Sequence, residues 1–236
     1  MTEKNTNTIY LVRHGENRAN ITHEFSYKHV DYPLTPKGVL QARQTAEYFK
    51  DRHIDEIYAS PLKRAQETAS IIAQTLDLPV TVMEQFREIN VGSLEGRAPS
   101  DENWELHNRI VQAWFEGDYN AAFPDGENYL TLLARLRAGL LEVTRDRTGQ
   151  HIVIVGHGGI FTRTIRDLCP GADITEVLRV QNYNCAVTRI KLLTANETVT
   201  GTLEQWAYHG HLHGEAAQVV PGTALDIRST IAPQQV

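Results

Sequence analysis

The chain has 236 residues, enough for one large domain that buries ~70–75% of the surface its unfolded form exposes. Lys+Arg number 23 against 29 Asp+Glu, a formal net charge of −6, which argues against nucleic acid or an acidic membrane surface as partner. Two cysteines, Cys169 and Cys185, indicate no disulfide framework. The polar start Met1–Thr8 and the lack of a long apolar run give no signal or membrane-spanning segment, so a soluble, cytoplasmic protein is expected.

Extended apolar runs alternate with helical patterns along the chain. This argues for βαβ units and an α/β fold: a three-layer α/β/α sandwich on a mainly parallel sheet with one antiparallel strand. Ile9–Val12 reads as the first strand. Thr35-Pro36 then supplies a cap and a proline for a helix with Val39, Leu40, Ala42, Ala46 and Phe49 on its apolar face. Glu56–Ala59 is a short strand, and Ser60-Pro61 repeats the cap-plus-proline device for a helix to about Leu76. Leu78–Phe86 is extended and ends in Arg87-Glu88. Residues 92–103 are loop-like, Trp104–Phe115 helical, and Tyr119–Asn128 a turn-rich break. A long helix follows over 129–147 with a leucine stripe. His151–Val155 is the strongest buried strand, a helix covers about 160–169, and Cys185–Leu193 and Val199–Tyr208 close the sheet. Residues 1–213 are expected to form one domain, with a poorly ordered tail over 214–236.

Two junctions carry chemistry. The first strand runs directly into Arg13-His14-Gly15-Glu16, with Asn20 beyond, and the buried strand at 151–155 into Gly156-His157-Gly158-Gly159. Open α/β sheets place ligands at carboxyl strand ends. An arginine there offers a planar fork to phosphate oxygens, and glycine lets backbone approach closely. Arg64 falls near the first turn of its helix, whose positive end adds to the attraction for an anion. Glu88 falls at a strand-to-loop boundary, so four side chains can converge on one sheet edge. A His-Gly-Gly run also occurs in oxyanion loops, but the Gly-x-Ser-x-Gly elbow that reading needs is missing. His209, His211 and His213 alternate and could chelate a metal. The flanking Gly210 and Gly214 favour surface histidines, and no metal or other cofactor is expected.

Taken together, these residues resemble the histidine phosphatase superfamily, also called phosphoglycerate-mutase-like. The resemblance spans most of Thr8–Tyr208. Besides the two junctions it rests on Leu34-Thr35-x-x-Gly38-x-x-Gln41-Ala42, Ser60-Pro61-Leu62-Lys63-Arg64-Ala65-x-x-Thr68-Ala69, Glu88-x-x-x-Gly92-x-x-Glu95-Gly96 and Pro124-x-Gly126-Glu127. It implies that His14 is the nucleophile, forming a phosphohistidine while its other ring nitrogen is held as a donor by nearby backbone. It implies that Arg13, Arg64 and His157 surround the phosphoryl oxygens, completed by Asn20 and the backbone amide of Gly158. Glu88 is then the acid for the leaving oxygen and the base for the hydrolytic water.

Phosphoglycerate mutases carry an arginine and a tyrosine just after the acidic residue and an asparagine after the second histidine-glycine pair. Here Ile89-Asn90 and Gly159 stand in those places, which favours a phosphatase acting on a small phosphate ester. A cofactor-dependent mutase is the second reading and a silent phosphate-binding scaffold the third. Asn17 replaces the usual serine or threonine and leaves one phosphate contact open. The insert over about 97–129 is expected to be a helical lid. Its aromatic residues Trp104, Trp114, Phe115, Tyr119 and Phe123 serve substrate or packing, and its acids favour an ester with a neutral or apolar body. The oligomeric state is left open, a homodimer included.

Overall fold

A computed structural model describes residues 5–218. Six strands form one sheet in the order β3-β2-β4-β1-β5-β6: β1 (Asn5–Arg13), β2 (Glu56–Ala59), β3 (Val80–Val82), β4 (His151–Gly156), β5 (Val187–Ala195) and β6 (Thr198–Tyr208). β1, β2, β3 and β4 pair in parallel, and β5 runs against both of its neighbours, so it is the single antiparallel strand. β1 extends to the amino side of the apolar run because Asn5–Thr8 pair with Thr194–Lys191 of β5.

The three layers follow from the period-2 alternation of the central strands. Ile9, Leu11, Ile152 and Ile154 face one core with α4 (Asp101–Glu116), α5 (Tyr129–Thr144) and α6 (Gly158–Leu168). Tyr10, Val12, Val153 and Val155 face the other, with α2 (Pro36–Lys50) and α3 (Lys63–Leu76). β4 lies between two strands and is covered on both faces, which is why it reads as an unbroken apolar run.

Several expectations change. Thr35 does cap α2, accepting from Gly38 N at 3.0 Å, but Ser60 does not cap α3. That helix starts at Lys63 after an uncapped Leu62, and the Ser60 hydroxyl turns to His157 instead. The stretch Leu78–Phe86 is strand only over β3, followed by a 3-10 turn at Glu84–Phe86, so Glu88 sits in a loop beyond that turn. α4 begins at Asp101, where the Ser100 hydroxyl accepts from Asn103 N. Two short helices, α1 (Arg18–Thr22) and α7 (Ile174–Arg179), are too brief for periodicity to reveal. Within the expected disordered tail, Gly214–Ala217 forms a 3-10 turn docked on α2, with Ala216 fully buried and its carbonyl accepting from Gln41 Nε2 at 3.1 Å. Residues 219–236 lie outside the described residues.

The loop after β1 is seated on α2 by two glycines in contact. A Cβ on Gly38 would lie 2.1 Å from the Glu16 carbonyl oxygen, and one on Gly15 would lie 2.6 Å from that of Gly38. Backbone on both sides leaves no flexible atom to yield. Gly38→Ala should therefore lower stability by ~1–3 kcal/mol in urea unfolding. Gly171→Ala, which meets nothing within 4 Å, should stay within ~0.5 kcal/mol. Equal effects at both positions would show that the loop relaxes freely.

Candidate active site

The carboxyl ends of β1, β4 and β2 lie side by side, Arg13 opposite Gly156 and Ala59 opposite Val155. The next residues, His14, His157 and Ser60, are therefore neighbours although far apart in sequence. His14 is 3% exposed, and its ring centroid lies 5.2 Å from that of His157. Nδ1 of His14 is 2.7 Å from the Gly15 carbonyl oxygen, which can only accept, so Nδ1 carries the proton and Nε2 keeps its lone pair. Nε2 receives a hydrogen bond from Arg64 Nε at 3.1 Å. Burial, then the charges of Arg64 and Arg13, hold His14 well below the usual histidine range, against the opposing Gly15 bond. The imidazole is neutral at physiological pH.

Arg64, on the first turn of α3, is itself fixed by Ser26, donating to its Oγ at 2.7 Å and its carbonyl at 2.9 Å. Burial lowers its pKa to about 10, so it stays charged at neutral pH. Arg13 donates to the Asn182 carbonyl, and its side chain packs 3.2 Å from the position a Cβ would take on Gly158. Its Nε is buried without a partner, as is Nδ1 of His157, whose Nε2 meets Ser60 Oγ at 2.7 Å. Burial, then Arg64 and His14, keep His157 uncharged. Asn20 closes a capping box with Asn17 on α1, and its Oδ1 also accepts from Asn184. Asn17 is buried in the cavity wall, and its Nδ2 is left without a partner.

Glu88 reaches the same cavity from its loop. Its carboxylate accepts from Gly159 N at 3.0 Å and Ile160 N at 2.8 Å, both at the amino end of α6, and from the neighbouring Ile89 N at 2.9 Å. A Cβ on Gly159 would lie 2.5 Å from Glu88 Oε1, so the bare α-carbon makes this docking possible. Arg87 pairs with Glu84 and leaves Glu88 to the site.

The remaining motifs position these groups. Thr68 Oγ1 accepts from Gly15 N at 3.0 Å and Gln41 Oε1 from Glu16 N at 2.8 Å, fixing the loop that carries His14. Glu95 Oε1 accepts from the four consecutive amides of Tyr27–Val30, ordering the segment next to Ser26 that holds Arg64. Glu127 pairs with Arg135 at 2.9 Å, and Arg135 binds the carbonyls of Gln85, Arg87 and Glu88, fixing the loop that carries the carboxylate.

Arg13, His14, Asn20, Arg64, Glu88 and Gly158 all line one cavity of about 290 Å³. Sequence reasoning missed Ser26, Asn184 and Arg163, which line it too. Arg163 is one helical turn beyond Gly159, a spacing that could have revealed it. The lid aromatics divide: Trp114 and Phe123 are buried in the core, while Trp104 lines the cavity, its ring centroid 4.3 Å from that of Phe25. Asp101, Glu102, Glu105, Glu116 and Asp118 all face solvent, so the lid acids do not set the charge of the cavity. His211 meets Thr45 Oγ1 and packs against Tyr48 and Tyr208, whereas His209 packs on Tyr183. Among the described residues no group of three or more His, Cys, Asp or Glu is placed to hold a metal ion.

The model of the histidine phosphatase superfamily (branch 1) matches residues 9–203. The chain is 33% identical over 174 residues to "Uncharacterized phosphatase PhoE" of Bacillus subtilis (strain 168), covering 74% of this chain and 83% of that protein. It is 33% identical over 190 residues to "Probable phosphoglycerate mutase GpmB" of Enterobacter sp. (strain 638), covering 77% and 83%. The crystal structure of phosphoserine phosphatase from Entamoeba histolytica in complex with 3-phosphoglyceric acid superposes with a TM-score of 0.66 at 27% identity, covering 88% of this chain and 100% of that one.

His107, a cavity residue, is lowered by burial to about 4. In the unfolded chain it takes a proton near pH 6.5. The unfolded state thus binds more protons than the folded one between these values, and stability falls as pH drops from about 6.5 toward 4. His107→Phe should remove up to ~1.4 kcal/mol per pH unit from that slope, measured by urea unfolding at pH 7, 6 and 5. An unchanged slope would mean that His107 is protonated in the fold.

Proposed function

This chain belongs to the histidine phosphatase superfamily, and on that premise we propose that it is a phosphatase that hydrolyses a small phosphate monoester through a phosphohistidine on His14. The observation that carries the reading is the state of His14: Nδ1 is bound to the Gly15 carbonyl and Nε2 points at Arg64, so a neutral imidazole offers one lone pair beside two guanidinium groups. On binding, the phosphoryl group takes over the Arg64 hydrogen bond, exposing Nε2 for attack. Arg13, Arg64 and His157 then hold the equatorial oxygens, with Asn20 and the Gly158 amide completing the cradle. Nε2 bonds to phosphorus as the bond to the alcohol oxygen breaks, and that oxygen takes a proton from Glu88. Water then attacks the phosphohistidine and returns its proton to Glu88, releasing phosphate and neutral His14.

The tight seat of Glu88 on Gly159 supports hydrolysis over mutase chemistry, because the asparagine that mutases place there would push the carboxylate aside. In this reading the catalytic domain reaches past the expected boundary at 213 to the docked turn at Gly214–Ala217, with the lid over about 97–129. No helix among the described residues is long and apolar enough to cross a membrane, and two free buried cysteines suit the cytoplasm.

Rapid quench with labelled ester should trap an acid-labile, base-stable phosphoenzyme that is missing in His14→Ala. Substantial turnover by His14→Ala would sink the mechanism. Glu88→Gln should slow alkyl esters by ~10²–10⁴-fold. An activated aryl phosphate should still give a burst of aryl alcohol, followed by slow phosphate release. Equal slowing of the burst for both ester types would show that another group is the acid.

A further inference from the structure

None of the described residues 209–218 lines the cavity, yet the turn at Gly214–Ala217 is tied to the residue two places after His14. Lys37, Gln41, Gln44 and Thr45 fall on one face of α2, and each meets the chain between His211 and Gln218. Gln44 accepts from His213 N at 2.8 Å, and Ala216 is fully buried in an apolar cluster with Ala42, Cys185 and Leu212. Gln41, 1% exposed, accepts on Oε1 from Glu16 N at 2.8 Å and donates from Nε2 to the Ala216 carbonyl at 3.1 Å. A backbone N–H only donates and a carbonyl only accepts, so the Gln41 amide is locked in one orientation from both ends. Lys37 makes a parallel tie, 2.7 Å from Glu16 Oε2 and donating to the Gln218 carbonyl at 3.0 Å. The Glu16 N–H belongs to the same rigid peptide unit as the Gly15 carbonyl, which holds Nδ1 of His14 at 2.7 Å. Three hydrogen bonds thus run head to tail from the imidazole through that peptide and the Gln41 amide to Ala216.

The structure assigns Gln41 as a positioning residue for His14, with the turn at Gly214–Ala217 as the anchor that orients it. This rests on His14 being the nucleophile and adds what aims it. Aligned amide hydrogen bonds polarise one another, so the chain ending on Ala216 strengthens the Gly15 carbonyl as an acceptor for Nδ1 and leaves Nε2 richer in electron density. With the turn undocked, the buried Gln41 nitrogen loses its partner. Rotation of the amide to find another then releases Glu16 N, and the peptide that holds the imidazole is free to tilt.

The test is a single turnover of p-nitrophenyl phosphate with the full chain in excess. This leaving group needs no acid, so the plateau rate of nitrophenolate release reports attack by His14. The half-saturating protein concentration reports binding and the folded fraction, which is all that a merely structural turn would change. Ala216→Asp places a charge in the apolar cluster and expels the turn. Gly214→Val acts more gently: Gly214 has φ 58° and a Cβ there meets nothing within 4 Å, so the valine strains the turn without touching α2. Both variants, and Gln41→Met, should lower the plateau roughly 10- to 100-fold, as small misplacements of a reacting group do. Ala216→Gly, which keeps the carbonyl, should retain the parent plateau. Should Ala216→Asp not fold, Gly214→Val decides. Parent plateaus in the turn variants, a change in half-saturation alone, or a fall confined to Gln41→Met overturns the inference. Release that survives in His14→Ala would instead fail the phosphohistidine reading, so the two failures are told apart.

Discussion

An uncharged imidazole between the buried Arg64 and the half-buried Arg13 is the condition on which the site depends. Were His14 protonated, three positive charges would crowd a pocket shielded from water, and no lone pair would remain for chemistry. The short bond from Nδ1 to the Gly15 carbonyl settles the tautomer, while burial and the flanking guanidinium groups exclude the proton from Nε2. Much of the surrounding structure keeps that arrangement in place. Thr68 and Gln41 hold the loop after His14, Ser26 holds Arg64, and Ser60 holds His157.

The sheet supplies the other half of the argument. Parallel pairing of β1 with β4 and of β4 with β2 ends three strands in register, delivering His14, His157 and Ser60 to one edge without any of them belonging to the hydrophobic core. α6 starts immediately after β4, so its positive amino end opens at that edge as well. Glu88 occupies part of that end in the described state. The same helix carries Arg163 into the cavity wall one turn further on.

The lid shows how a surface property can mislead. Its acids Asp101, Glu102, Glu105, Glu116 and Asp118 all face solvent, while Trp104 and His107 line the cavity. Charge in a segment describes its exposed face unless a side chain is known to point into the site. The lid aromatics divided in the same manner between core and cavity, because a helix turns its faces every 3.6 residues.

Much of the candidate site was legible in the chain. Arg13, His14, Arg64, Glu88 and His157 could be named because strand ends, glycines and an arginine near a helix start are local signals, and their joint order is specific. The βαβ alternation and an antiparallel member among the two closing strands were equally readable, but that β5 is that strand was not. What local signals could not supply was the partner of each polar group. Ser60 has the same local appearance whether it caps a helix or holds His157, and Glu88 the same whether it ends a strand or docks on a distant amide pair. α1, α7 and the turn at Gly214–Ala217 are too short to carry a periodic pattern, and the docking of that turn on Gln41 joins residues 175 apart. Only the assembled fold decides such pairings, because a buried hydrogen bond depends on which surfaces meet, and no residue encodes that alone.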